Sequence, residues 1–112
     1  MKNKPNIIVF FTDQQRWDTS GLHGNPLCLM ENFDHYAQEG THLFNSFTCQ
    51  PVCGPARASF QTGKYATKTG AYRNHITLKK NHKTIAQYLN KHGYETAYIG
   101  KWHLGSSEPV QK

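Results

Sequence analysis

Cys53, Pro55 and Arg57 stand within one five-residue run, Cys53-Gly54-Pro55-Ala56-Arg57. The run combines a nucleophile, a helix-starting residue and a planar cation. Proline suits the first helical position, where its missing N–H has no intrahelical partner to lose. The spacing predicts a short helix that starts at Pro55 and continues from Ala56 to Thr62, closed by Gly63, with Cys53 at its positive end. Free amides and the helix dipole favour an anion at such an end. Arg57, one turn in, adds a fork of donors matched to oxyanions with equivalent oxygens. A nucleophile held in an anion cradle is the chemistry this points to.

Three further stretches carry chemistry-bearing types. Asp13 follows the apolar run Asn6 to Phe11, where a carboxylate can bind a hard divalent cation or simply cap a turn. Gln14 beside it brings an amide oxygen but no charge. Lys101 and His103 lie in Gly100-Lys101-Trp102-His103-Leu104-Gly105. An ammonium is a point charge suited to a developing anion, and an imidazole nearby exchanges a proton near neutral pH. Taken singly, such a histidine is more often structural. Tyr72, Arg73, Asn74 and His75 form a polar cluster that could line a substrate pocket. His23, His35, His42, His75, His82 and His92 show no metal-ligand spacing and read as structural or surface residues.

These residues need elements to position them. Asn6 to Phe11 reads as a buried parallel strand, and Arg16 to Met30, rich in turn residues, as a loop. Phe33, Tyr36 and Ala37 have helical spacing, with Gly40 where a helix ends. Thr41 to Phe47 reads as a second strand with Leu43, Phe44 and Phe47 available for a core. Lys64 to Lys83 has little periodicity and is expected along the surface. Thr84-Ile85-Ala86-Gln87 fits a capping box that starts a helix ending at Gly93, with Ile85, Tyr88 and Leu89 inward. Tyr94 to Ile99 reads as the next strand. Strands alternating with helices imply an α/β fold with a mainly parallel sheet. Ligands of such sheets sit beyond the carboxyl ends of the strands, which would bring Asp13 and Lys101 to the same edge as Cys53.

The Cys53-x-Pro55-x-Arg57 pattern resembles that of the type I sulfatases, formylglycine-dependent members of the alkaline-phosphatase-like superfamily. The likeness extends to Phe11-Thr12-Asp13, to Ala58-Ser59-Phe60-Gln61-Thr62-Gly63, and to Gly100–Gly105 preceded by Gly93-Tyr94-Glu95-Thr96-Ala97. It implies that a formylglycine-generating maturation enzyme converts Cys53 to an aldehyde, whose hydrate attacks the sulfur of a sulfate ester. It also implies Ca2+, or another divalent cation, held by Asp13 and by the converted Cys53, with Gln14 a weaker ligand. Arg57 would hold the nucleophile, Lys101 would contact the sulfate, and His103 would hydrogen-bond hydrate or substrate. The substrate would be a sulfated small molecule or carbohydrate.

Two positions depart from the family's pattern. Gly54 stands where serine or threonine is common, and Gln14 stands where many members carry a second aspartate. The Asp-Gln pair also resembles choline sulfatases and phosphonate monoester hydrolases, which leaves a phosphonate or phosphate-ester hydrolase as one alternative. A non-catalytic basic binding module is another. The resemblance spans Asn6 to Gly105 but only the amino-terminal part of the family's domain. Residues 1–112 are therefore expected to be an incomplete portion of one catalytic domain, with little turnover by themselves.

Composition agrees with a soluble globular chain: 112 residues, 37% hydrophobic and 18% charged. The net charge of +6 favours anionic partners, yet the basic residues are scattered and read as solvated surface, with no nucleic acid expected. No apolar run approaches a membrane span or a signal-peptide core, so no membrane partner is expected. A cytoplasmic form and a processed exported form both fit. Cys28 and Cys49 read as thiols rather than a disulfide, because three cysteines cannot all pair within the chain.

Overall fold

In the computed structural model, residues 4–105 are described. They divide at Ser46/Phe47 into two units.

In the first unit, two 3-10 turns, Trp17–Thr19 and Gly21–His23, precede helix α1, Glu31–Glu39. Asp34 of α1 gathers the second turn. Its carboxylate accepts from the Ser20 hydroxyl, from the Gly21 N–H at 2.9 Å and from the Leu22 N–H at 3.3 Å. A Cβ on Gly21 would lie 2.6 Å from Asp34 Oδ2, so any larger residue there would push the carboxylate from its place. Three hydrogen bonds to the ionised form, the Ser20 one foremost, hold the Asp34 pKa below its ordinary 3.8. Beside this turn the His23 ring stacks on Trp17 at 4.1 Å, and Phe44 meets Trp17 edge-on at 5.1 Å. His23 and His42 approach with their Nε2 atoms 3.1 Å apart, so both histidines are structural, as expected.

The second unit holds α2, Cys53–Thr62, α3, Ala66–Thr69, and α4, Ile85–Lys91. Its core is Ala58, Ala71, Leu78 and Leu104, with Ile76 and Trp102 packed against it. The Leu78 N–H donates to the Leu104 carbonyl at 2.9 Å, tying two distant loops together at that core. Gly63 closes α2 in the left-handed conformation (φ 65°), with its N–H on the Ser59 carbonyl. The Thr84 N–H donates to Gln87 Oε1 at 3.1 Å, which starts α4 as the sequence pattern predicts.

Several expectations need correction. Among the described residues there is no strand. Asn6–Phe11, Thr41–Phe47 and Tyr94–Ile99 have the composition of strands but no ladder partner here. Ile8 and Phe10 are each 91% exposed, and Leu43, Phe44 and Phe47 lie outside the core. A strand is stabilised by its neighbours, so composition does not make one without them. The stretch 64–83 is not merely superficial, since Ala66, Thr69, Ala71 and Leu78 are buried. In α4, Ile85 and Tyr88 are exposed, leaving Leu89 as the half-buried member of the predicted inward set. Gly40 ends α1 in an extended conformation rather than a left-handed one.

Candidate active site

Helix α2 begins at Cys53, two residues before the Pro55 start predicted, with Val52 as its N-cap. Pro55 is thus the third helical residue. Its missing N–H still costs nothing, because the first four amides of a helix have no intrahelical acceptor. The Ala56 N–H is the first to be satisfied within the helix, by the Val52 carbonyl at 2.9 Å.

The four leading positions can be accounted for one by one. The Val52 N–H donates to the Gln50 carbonyl at 2.9 Å, and the Gly54 N–H to Asn74 Oδ1 at 2.8 Å. Pro55 has no N–H. The Cys53 N–H, like the others of this first turn, has no acceptor within the helix. The predicted cradle is narrower than expected, because Asn74 takes up the Gly54 N–H and Pro55 has none. Cys53 is half-buried, whereas Gly54 and Pro55 behind it are buried. Cys28 and Cys49 are free of any disulfide, as expected, and Cys53 forms none either.

Arg57 is 7% exposed, deep for a cation. Its Nη1 donates to the Lys101 carbonyl at 2.6 Å and to Tyr98 Oη at 3.3 Å. The Tyr98 hydroxyl donates to the same carbonyl at 2.6 Å. This knot ties the nucleophile helix to the backbone of the Lys101 loop. Arg57 thus spends part of its fork inward, where an open oxyanion site was expected. Tyr98 carries no sequence signal for this role, since nothing local announces a hydroxyl aimed at a carbonyl three residues on.

The Lys101 side chain is exposed and His103 is half-buried. His103 has a left-handed backbone (φ 55°), and its Nδ1 is buried with no hydrogen-bond partner among the described residues. The next residue, Leu104, is 1% exposed in the core and anchors the loop. The His103 carbonyl lies 3.6 Å from where a Gly54 Cβ would be. Cys53, Arg57, Lys101 and His103, the first and last of them 50 positions apart in sequence, thus belong to one unit and are linked through α2. Asp13 and Gln14 are exposed residues of the first unit.

A family model described as sulfatase matches residues 5–111. The chain belongs to the sulfatase family. It is 40% identical over 101 residues to the uncharacterized sulfatase YidJ of Escherichia coli (strain K12), covering 90% of this chain and 20% of that protein. It is 41% identical over 101 residues to an ulvan-active sulfatase of Formosa agariphila, with the same two coverages, 90% and 20%. Human arylsulfatase D is 35% identical over 113 residues, 91% of this chain and 19% of that protein. The chain thus spans about a fifth of the length of these relatives. No solved structure matches it.

Calcium takes six to eight oxygen ligands. Among the described residues no group of three or more His, Cys, Asp or Glu is placed to hold an ion. Asp13 and Gln14, one carboxylate and one amide, do not fit a calcium ion by themselves. No described helix is long and apolar enough to cross a membrane.

Proposed function

We propose that this chain carries the nucleophile half of a sulfatase that hydrolyses sulfate esters, with Cys53 as the precursor of the reacting group. The observation that supports this best is the linkage of Cys53, Arg57, Lys101 and His103 through one helix and one loop in a chain of this family.

A formylglycine at Cys53 would fit the half-buried first residue of the helix, and it would supply a hydrated aldehyde as the attacking oxygen. The chain's residues do the rest. Arg57 fixes the helix against the Lys101 backbone and keeps a positive charge beneath the nucleophile. The exposed Lys101 ammonium meets the sulfate and balances the charge that grows on it. His103, held by its anchored neighbour Leu104, exchanges the proton that the departing alcohol needs. The sulfur–oxygen bond of the ester breaks, and water supplies the oxygen that leaves as sulfate.

Asp13, with Gln14 through its amide oxygen, is offered as a contributor to a divalent-cation site that needs further oxygen ligands. Calcium is the natural choice for such donors. The parallel sheet of an alkaline-phosphatase-like fold remains part of the proposal for the whole domain. Ulvan-active and N-acetylglucosamine-6-O-sulfatase relatives make a sulfated carbohydrate the substrate class to try first.

The test is fragment mass spectrometry of the protein purified from its own source, followed by assays on sulfated carbohydrates, an aryl sulfate and a phosphonate monoester. An aldehyde at Cys53 with turnover of a sulfate ester is expected. A retained thiol with no turnover would overturn the reading, and faster phosphonate cleavage would move it to the sister hydrolases.

A further inference from the structure

Asn74 reaches the start of the nucleophile helix from 20 residues downstream in sequence. Its Oδ1 accepts the Gly54 N–H at 2.8 Å. A Cβ on Gly54 would sit 3.1 Å from that oxygen and 3.6 Å from the Asn74 Cα, so the loop lies directly against the helix. Gln50 pins the same loop from the other side, its Nε2 donating to the Tyr72 carbonyl at 2.9 Å. The next residue, His75, is exposed and has a left-handed backbone, φ 67°. Its ring meets that of His103 edge-on, with centroids 6.2 Å apart. Two non-glycine residues in this sparsely populated region, ring to ring, are a local strain that their surroundings must hold in place.

We infer that Tyr72–His75 forms a third wall of the nucleophile site. Asn74 is a positioning residue that fixes Cys53 through the Gly54 amide, and His75 is a specificity-determining residue on the leaving-group side of the ester. The inference rests on the sulfatase reading above. The physical basis for Asn74 is that it takes up the amide next to Cys53, so the helix start cannot slide or fray. Cys53 is then presented in one orientation, with its own N–H beside it. His75 is the exposed member of the imidazole pair, while His103 is half-buried. A group bound at His103 therefore extends past His75 on its way to solvent. Arg73, with its guanidinium 5.9 Å above the Tyr72 ring, lies on the same rim. A rim of imidazole, guanidinium and aromatic face suits a carbohydrate bearing further anionic groups better than a small neutral alcohol.

The experiment uses the protein from its own source and three variants, Asn74→Ala, Asn74→Asp and His75→Asn. Aldehyde content at Cys53 and thermal melting are measured first, and rates are expressed per aldehyde. Asparagine tolerates a left-handed backbone, so His75→Asn removes the ring without disturbing the chain. For Asn74→Ala, kcat is expected to fall about 10- to 100-fold with KM little moved, the mark of a misplaced nucleophile. Asn74→Asp, which keeps the acceptor, should recover part of that loss. For His75→Asn, KM for an anionic carbohydrate sulfate should rise several-fold more than KM for 4-nitrophenyl sulfate. Equal kcat in wild type and Asn74→Ala, or equal KM changes on both substrates for His75→Asn, would overturn the inference while leaving the sulfatase reading intact. A wild type that turns over no ester would overturn both.

Discussion

Arg57 shows how one residue can serve architecture and chemistry together. A guanidinium this buried needs acceptors, and it finds a backbone carbonyl and a tyrosine hydroxyl in the Lys101 loop. Lysine lacks the rigid guanidinium plane that holds Nη1 against both acceptors, so Arg57→Lys cannot keep the two bonds in the same geometry. The substitution should cost about 1.5–3 kcal/mol, the range for a hydrogen bond to a charged group. Urea unfolding of variant and parent measures it, and an unchanged midpoint would refute the knot. The sequence pattern announced Arg57 but not its partners. Residue types at fixed short spacing are readable in a chain, whereas a contact between Arg57 and Lys101, 44 positions apart, is decided by folding.

Helices and turns show the same division more broadly. The end of α2 at Gly63 and the start of α4 at Thr84 and Gln87 are written in a few adjacent residues, and both stand where the sequence places them. The first residue of α2 was missed by two positions, because the missing N–H of Pro55 is harmless at the third helical position as well as at the first. The three strand expectations had only composition behind them, and a strand's partner is never local. At this scale the turn held by Asp34 makes a pH prediction. Its native pKa lies below the ordinary 3.8, with the Ser20 hydrogen bond as the chief cause. The ionised form is thus favoured by folding, and the contribution is complete above pH 3.8 and lost as the pH falls through the depressed native value. Amide exchange at Gly21 and Leu22 should therefore quicken on acidification in that window, beyond its intrinsic pH dependence. Asp34→Asn should remove the pH dependence, and its persistence in that variant would assign it elsewhere.

The whole molecule has a small core and a large apolar exterior. Four buried side chains make up the core of the second unit, while Ile8, Phe10, Phe47 and Ile99 are each more than 90% exposed. Soluble monomers seldom present contiguous apolar stretches such as Ile7–Phe11, in which every residue is open to solvent. The 112-residue chain should accordingly bind an apolar fluorescent dye, and Ile8→Ser with Phe10→Ser should lower the signal by a large fraction. Equal fluorescence from parent and double variant would show that this segment is covered in solution.

The burial of α2 also sets an order of events in the making of the protein. Gly54, Pro55 and Arg57 are inside once the helix has docked. An enzyme that recognises Cys53 by the proline and arginine beside it can read them only on a chain that has not yet folded. If Cys53 is converted as proposed, modification and folding would compete in time. A molecule that folded first would keep its thiol, so the yield of converted chain would be a ratio of two rates.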